Sequence, residues 1–434
     1  MSAATQPNPP FTYRDGQLWV EQVPIASLAQ TYGTPLYVYS RSALASAYRE
    51  FADAAPGREL LVCYAMKANS TLGVLDCLAQ EGAGFDIVSG GELKRALAVG
   101  ANPELIVFSG VGKSSVEIRE ALLSGVGCFN VESEPELNRL NEIALGLGLQ
   151  APVSLRVNPD VDAGTHPYIS TGLRDNKFGI AHEQALATYQ LAASLPGLKV
   201  VGIDCHIGSQ ITEMSPFLAA LDRVLDLYLA ISAAGIALEH IDLGGGLGVA
   251  YEHTDQPPSR GDLIRQIFER LDQRLGPDAA SVKLMFEFGR SIAGPAGMLI
   301  SKVEYLKPTA AKNFAIIDAA MNDLLRPSLY QAVHPVFPVH QSGERENAQH
   351  QTWDLVGPVC ESGDWLAKGC DLSLAPADLL AFGQAGAYGA VMSSNYNSRG
   401  RAAEVLVDGA TVHLIREREH FDTMIAGEHK LPIK

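Results

Sequence analysis

What this chain of 434 residues most clearly lacks is paired cysteine. Its six cysteines, Cys63, Cys77, Cys128, Cys205, Cys360 and Cys370, form no Cys-x-x-Cys, so neither a structural zinc site nor a disulfide framework is expected. Most should be reduced and buried. No apolar run is long enough to cross a bilayer, and Met1 to Pro10 is polar and proline-rich, without the apolar centre of a signal peptide. A cytoplasmic location without a membrane partner is the expectation. Basic clusters are missing too, and the formal net charge of -16 disfavours a face for nucleic acid. What is present, 47% hydrophobic and 19% charged residues, suits a globular chain with one large and one smaller domain.

Between about residues 40 and 290, short apolar runs alternate with segments of helical period. The strand candidates are Leu60 to Tyr64, Phe85 to Val88, Leu105 to Phe108, Cys128 to Val131, Val153 to Val157, Val200 to Cys205, His240 to Leu243 and Lys283 to Phe286. Roughly eight such strands close a parallel barrel, but a doubly wound sheet would alternate in the same way. The polar residues decide. Lys67 follows the first run, Ser89 the second, Arg156 ends the fifth, His206 follows the sixth, Gly244 to Gly246 the seventh and Glu287 the eighth. Chemistry at many C-terminal strand ends belongs to a barrel, because an open sheet gathers its ligand at one switch point. The fold class is therefore α/β, a (β/α)8 barrel over residues 40–290.

From about Tyr305 the texture becomes short strands separated by Gly and Pro, which predicts a mainly antiparallel β domain over 291–434. Residues 1–39 are expected to join it through Gln17 to Val20 and Leu36 to Tyr39. Asp408-Gly409 reads as a hairpin turn, Ser133 with Glu136 as a capping box, and His340 to Gln351 as a polar loop.

Several residues carry candidate chemistry. An amine at an apolar rim, as Lys67 would be, loses solvation and can condense with an aldehyde; a solvated lysine at a strand end is the plainer alternative. Gly244, Gly245 and Gly246 let backbone N–H groups approach a phosphate, and His206-Ile207-Gly208-Ser209 could add a second contact. Glu287 and Arg290 bring a carboxylate and a guanidinium to one rim, for a ring nitrogen and an anion respectively, or for a structural ion pair. No metal ligand set is read.

In order along the chain, YAMKAN at Lys67, HIGSQ at His206, GGGLG, EFGR at Glu287, LRPSLY at Arg326, CESGD at Cys360 and Tyr388 before SSNYNSR together resemble the diaminopimelate decarboxylases. These belong to the alanine-racemase-like group of pyridoxal-phosphate enzymes. The resemblance begins at Tyr32-Gly33-Thr34-Pro35 and spans nearly the whole chain, including Thr165 to Tyr168 and Asn176 to Gly179. Phe288 stands where the family usually has proline, and is expected to bear on the rim around Arg290.

The resemblance implies a pyridoxal 5'-phosphate cofactor carried on Lys67 as a Schiff base. His206 would stack on its ring, Ser209 and Gly244 to Gly246 would hold its phosphate, and Glu287 would pair with its ring nitrogen. Cys360 would be the acid that reprotonates the substrate carbon, on a loop reaching the partner's site in a homodimer. Arg290, Arg326 and Tyr330 would take the far carboxylate of meso-diaminopimelate, Glu361 its ammonium, and Tyr388 cofactor or substrate. Decarboxylation of that substrate to L-lysine and carbon dioxide is the implied reaction. Related decarboxylases of basic amino acids or carboxylated polyamines, a non-catalytic cofactor carrier and a racemase are the alternatives.

Overall fold

A computed structural model describes residues 9–162, 177–252, 254–341 and 349–432. The chain divides into two compact units: Ala45–Ala250 with Asp255–Ile292, and Met1–Leu44 with Tyr251–Thr254 and Ala293–Lys434.

The first unit is a closed barrel. Its eight strands are Leu60–Ala65, Gly84–Ile87, Ile106–Phe108, Cys128–Val131, Ala151–Asn158, Leu198–Asp204, His240–Asp242 and Lys283–Phe288, all paired in parallel. Closure comes from the first strand, which pairs with the second (Cys63 opposite Gly84) and with the eighth (Met285 opposite Leu61). Strands covered on both faces read as near-continuous apolar runs, which is why each lies within three residues of its sequence-based bounds. One short extra strand, Ile180–Ala181, pairs with the fifth.

Helices follow the strands, among them Gly90–Ala98, Ser115–Ser124, Glu134–Leu147, Ser215–Ala233 and Arg260–Leu275. The complete capping box belongs to Ser114 and Glu117, which bond each other's backbone N–H reciprocally. Ser133 accepts from Glu136 N, but the return bond expected there is absent. The Glu136 carboxylate is drawn instead to the Lys113 ammonium at 2.7 Å and to Glu132 N at 2.9 Å.

The second unit centres on a mixed sheet in the order Trp365–Leu374, Gln349–Val356, Asn313–Ile317, Gly297–Pro308, Leu36–Ser40, Ala403–Asp408, Thr411–Arg416. Most pairs are antiparallel; Leu36–Ser40 with Ala403–Asp408, and Asn313–Ile317 with Gln349–Val356, are parallel. An N-terminal strand thus lies inside a sheet built from C-terminal ones. Gln17–Val20 does not join that sheet. It pairs with Phe11–Arg14 and Val23–Pro24, because strands this short, separated by tight turns, find their nearest partners in each other. Phe11, Leu18 and Val20 still share one core with Val38, Met298 and Val405. The Asp408-Gly409 turn forms as expected, with Gly409 at φ +60° and Asp408 opposite Thr411. Of the stretch His340 to Gln351 expected as a polar loop, Gln349 to Gln351 belong to the strand Gln349–Val356, and residues 342–348 lie outside the described residues.

Four of the six cysteines are buried, Cys370 is half-buried and Cys360 is exposed, all as free thiols. Among the described residues no helix is long and apolar enough to cross a membrane.

Candidate active site

The first barrel strand runs directly into one 3₁₀ turn, Met66–Ala68, whose flanking residues Met66 and Ala68 are buried. Lys67 projects between them with 38% of its side chain exposed, and its Nζ lies 2.9 Å from Oδ2 of the buried Asp86. The sequence reading expects an amine against an apolar rim. The structure shows an ion pair, because the parallel register sets Ala65 opposite Asp86 and brings both side chains to the same strand ends.

Around the rim the acids accumulate. Glu287 lies one residue before the end of the eighth strand, and its Oε1 accepts from Ser109 Oγ and Asn130 Nδ2, each at 3.1 Å. Asp204 and Asp242, from the sixth and seventh strands, complete a buried set in which one oxygen from each of the three acids lies within 4.8 Å of the others. Burial pushes the Asp242 carboxyl up to about 7. It also holds Asp204 and Glu287 well above the usual carboxylate range, with Asp242 beside Asp204 and Asp86 beside Glu287 pushing the same way. Arg156, buried at the end of the fifth strand, is one counter-charge, with Nη1 3.4 Å from Glu132 and Nε 4.0 Å from Asp204. Among the described residues the ion-pair partners of these five acids, Asp86, Glu132, Asp204, Asp242 and Glu287, are Lys67 and Arg156. Asp86 Oδ1, Asp204 Oδ1 and Asp242 Oδ2 are buried with no hydrogen-bond partner among the described residues.

An acid whose folded-state pKa is raised contributes stability below its unfolded pKa and loses that contribution as pH rises through the folded value. For Asp242 the window is from about 4 to about 7. Asp242→Asn keeps an oxygen for Gly244 N, 2.8 Å away, but cannot ionise. The melting temperature of the apo variant, taken relative to the parent, is expected to rise between pH 5 and pH 8; a flat difference would show that Asp242 titrates normally.

The glycine turn is built by close approach. A Cβ on Gly245 would lie 2.1 Å from Glu287 O, and one on Gly246 would lie 2.4 Å from Gly208 O. Gly244 and Gly246 also take φ of +63° and +110°. The Gly244 N–H donates to Asp242 Oδ1 at 2.8 Å and the Gly245 N–H to His206 Nδ1 at 3.1 Å. Two of the three N–H groups assigned to phosphate are thus already engaged in building the turn. Since His206 Nδ1 accepts, the neutral ring carries its proton on Nε2. Desolvation, then Arg156 and Lys67, push its pKa well below the ordinary value, so the ring is neutral at pH 7. Gly245→Ala meets a backbone carbonyl rather than a yielding side chain, so it is expected to cost about 1–3 kcal/mol and to lower cofactor retention. Denaturant melts and the absorbance of the purified protein check both.

Arg290 opens the short helix Arg290–Ala293, buried, with Nη2 3.0 Å and Nε 3.3 Å from Ser209 Oγ. Ser209 and Arg290, read from separate motifs, therefore meet. Phe288, expected to bear on this rim, has its ring buried in the core and stacked 3.9 Å from Phe51.

In the second unit Arg326 is buried at the start of Arg326–Tyr330, its guanidinium 4.7 Å over the Tyr251 ring and its Nη1 3.0 Å from His334 Nε2. Arginine only donates, so Nε2 accepts and the His334 Nδ1–H donates to Gly383 O at 2.8 Å. Tyr330 is half-buried. Tyr388, also half-buried, sits at φ +56°, a conformation uncommon outside glycine and concentrated at functional sites. Cys360 and Glu361 are exposed; Cys360 N donates to Asn397 Oδ1 at 3.4 Å, and the Tyr396 hydroxyl donates to Glu361. Their loop is shaped by the buried Asp364, whose two oxygens accept from Met321 N and Val359 N at 2.7 Å each.

Residues 41–294 match the pyridoxal-binding domain of the pyridoxal-dependent decarboxylases. Diaminopimelate decarboxylase of Pseudomonas aeruginosa is 57% identical over 422 residues, covering 97% of this chain and 99% of the relative. The chain belongs to the diaminopimelate decarboxylases. Solved members include the M. jannaschii enzyme with L-lysine, at 36% identity and TM-score 0.91 over 99% of both chains. The Helicobacter pylori enzyme with L-lysine has 41% identity and TM-score 0.87 over 93% of this chain and 98% of that one.

The donor set fits the cofactor of this family. Pyridoxal phosphate carries an aldehyde, which would suit the Lys67 amine, a phosphate, which would suit donors near Ser209 and Gly246, and a ring nitrogen that binds a proton. Among the described residues, five carboxyl groups that share two ion-pair partners and include three unpartnered buried oxygens leave room for the cationic, donating group that such a ring provides. Sequence reasoning missed Asp86, Ser109, Asn130, Asp204, Asp242 and His334. A polar residue inside an apolar strand, as in Gly84–Ile87, was the available signal. Thr165 to Tyr168 and Asn176, part of the motif match, lie outside the described residues.

Proposed function

We propose that this chain decarboxylates meso-2,6-diaminopimelate at its D-centre, with pyridoxal phosphate, releasing L-lysine and carbon dioxide as the last step of lysine biosynthesis. The full-length likeness to decarboxylases of that name carries the reading. When bound, the cofactor supplies an aldehyde for an amine and a cationic ring that accepts the electron pair left by departing carbon dioxide. The chain's own residues do the rest. Lys67 would hold the cofactor covalently, and Glu287 would keep the ring nitrogen protonated. His206, a neutral imidazole, would lie against the ring and add no charge beside a cation. Arg290, bonded to Ser209, would keep that hydroxyl for the phosphate, and Gly246 would supply the N–H that its two neighbours have spent. Arg326, Tyr330 and Glu361 would take the unreacting end of the substrate, and Tyr388 would contact cofactor or substrate.

Cys360 delivers a proton to the carbon that has lost its carboxylate, so one proton is consumed for each carbon dioxide released. Its thiol, exposed on a single chain, would serve a partner subunit's site in a homodimer, and the enzyme would work in the cytoplasm. Carbon dioxide release from meso-diaminopimelate, L-lysine and L-ornithine tests the substrate: preference for the first by at least about 100-fold is expected. Faster release from L-ornithine or L-lysine would refute it in favour of a decarboxylase of basic amino acids.

A further inference from the structure

Glu287 is the acid on which the ring nitrogen's proton depends, yet it is buried among other carboxyl groups and would by itself be free to rotate or to take up the proton. We infer that Ser109 and Asn130 are positioning residues that fix Glu287 for the cofactor's ring nitrogen; this rests on the reading of the site as a pyridoxal-phosphate decarboxylase.

The geometry is asymmetric. Both donors, Ser109 Oγ and Asn130 Nδ2, reach Oε1 at 3.1 Å, and among the described residues none reaches Oε2. A carboxylate anchored through one oxygen presents the other to its ligand in one orientation. The Asn130 amide also donates to Ser109 Oγ at 3.2 Å, so the hydroxyl hydrogen is left to point at Glu287. Asn130 Oδ1 faces the Cys128 thiol at 3.8 Å, which agrees with this choice of amide orientation. Ser109, Asn130 and Glu287 are all buried, so these bonds are made away from bulk solvent. Two donors on the ionised form also oppose the upward push of burial and of Asp86, Asp242 and Asp204 on this acid.

Ser109 and Asn130 are themselves pinned by one cation. The Lys113 side chain is 1% exposed, and its Nζ donates to Gly110 O at 2.8 Å, Asn130 O at 2.7 Å and Glu136 Oε1 at 2.7 Å. Gly110 directly follows Ser109. A single ammonium, with its three protons matched to three acceptors, therefore ties the chain beyond the third strand to the fourth strand, which together present the donors.

The test compares the affinity of apo-protein for pyridoxal phosphate with its affinity for the analogue carrying carbon in place of the ring nitrogen. The parent should prefer the natural cofactor. That preference ratio is expected to fall by about 10-fold or more in Ser109→Ala and Asn130→Ala, and to return in Ser109→Thr, which keeps the hydroxyl. A ratio unchanged in both alanine variants would overturn the inference, as would equal loss of both ligands with a lowered melting temperature, or a parent that does not discriminate. If Asn130→Ala does not fold, Ser109→Ala decides. Turnover of meso-diaminopimelate by the parent is measured separately, so an error in the substrate shows there and not in the ratio.

Discussion

Lys67→Ala is expected to lower turnover by on the order of 10⁴-fold, the largest single loss in the molecule. Among the described residues no second lysine is paired with an acid of this rim. Asp86, the partner of Lys67 at 2.9 Å, carries no amine, and Arg156 is a guanidinium already ranged between Glu132 and Asp204. Borohydride reduction of the holoenzyme followed by peptide mass mapping reads the attachment directly. The cofactor's mass should sit on Lys67 in the parent and be absent from the variant. A parent labelled on another lysine would remove Lys67 from the site. Thermal melts of the two apo-proteins keep a folding defect apart from a chemical one.

Cys360→Ala should lower kcat by about 10²–10³-fold and leave KM within a few-fold, since a proton donor acts in the transition state rather than on substrate binding. The thiol is exposed, so its removal opens no cavity, and stability should change by no more than about 0.5 kcal/mol. If the acid serves the partner's site, two inactive proteins can complement each other. Co-refolded Lys67→Ala and Cys360→Ala chains mix so that half of the dimers are hybrid, each hybrid holding one intact site, and about a quarter of parental activity returns. Activity that stays at the level of the separate variants would place Cys360 and Lys67 of the same chain in one site.

The barrel was legible for a simple reason. Strands such as Cys128–Val131 and Lys283–Phe288 are covered on both faces, so their apolar runs stand out between helical periods. The second unit was read less completely. Its longest strand, Gly297–Pro308, is buried through its first half and alternates afterwards, with a register shift between Val303 and Tyr305, so no single period runs through it. Lys67, His206, Glu287 and the glycine turn were legible because each breaks its local pattern at a strand end. Their partners were not. Lys67 and Asp86 lie 19 residues apart, and Glu287 meets Asn130 157 residues and Ser109 178 residues away, distances no local periodicity spans.

The sequence by itself determined that a chain of this composition closes an α/β barrel with an amine, a glycine turn and a carboxylate at the strand ends, because local periodicity and motif order set both. Only the tertiary structure decided which groups share that rim: that Lys67 is ion-paired, that two glycine N–H groups are already used, and that Glu287 is held through one oxygen. Those outcomes depend on parallel register around a closed ring, which places residues side by side according to strand position and without regard to their separation along the chain.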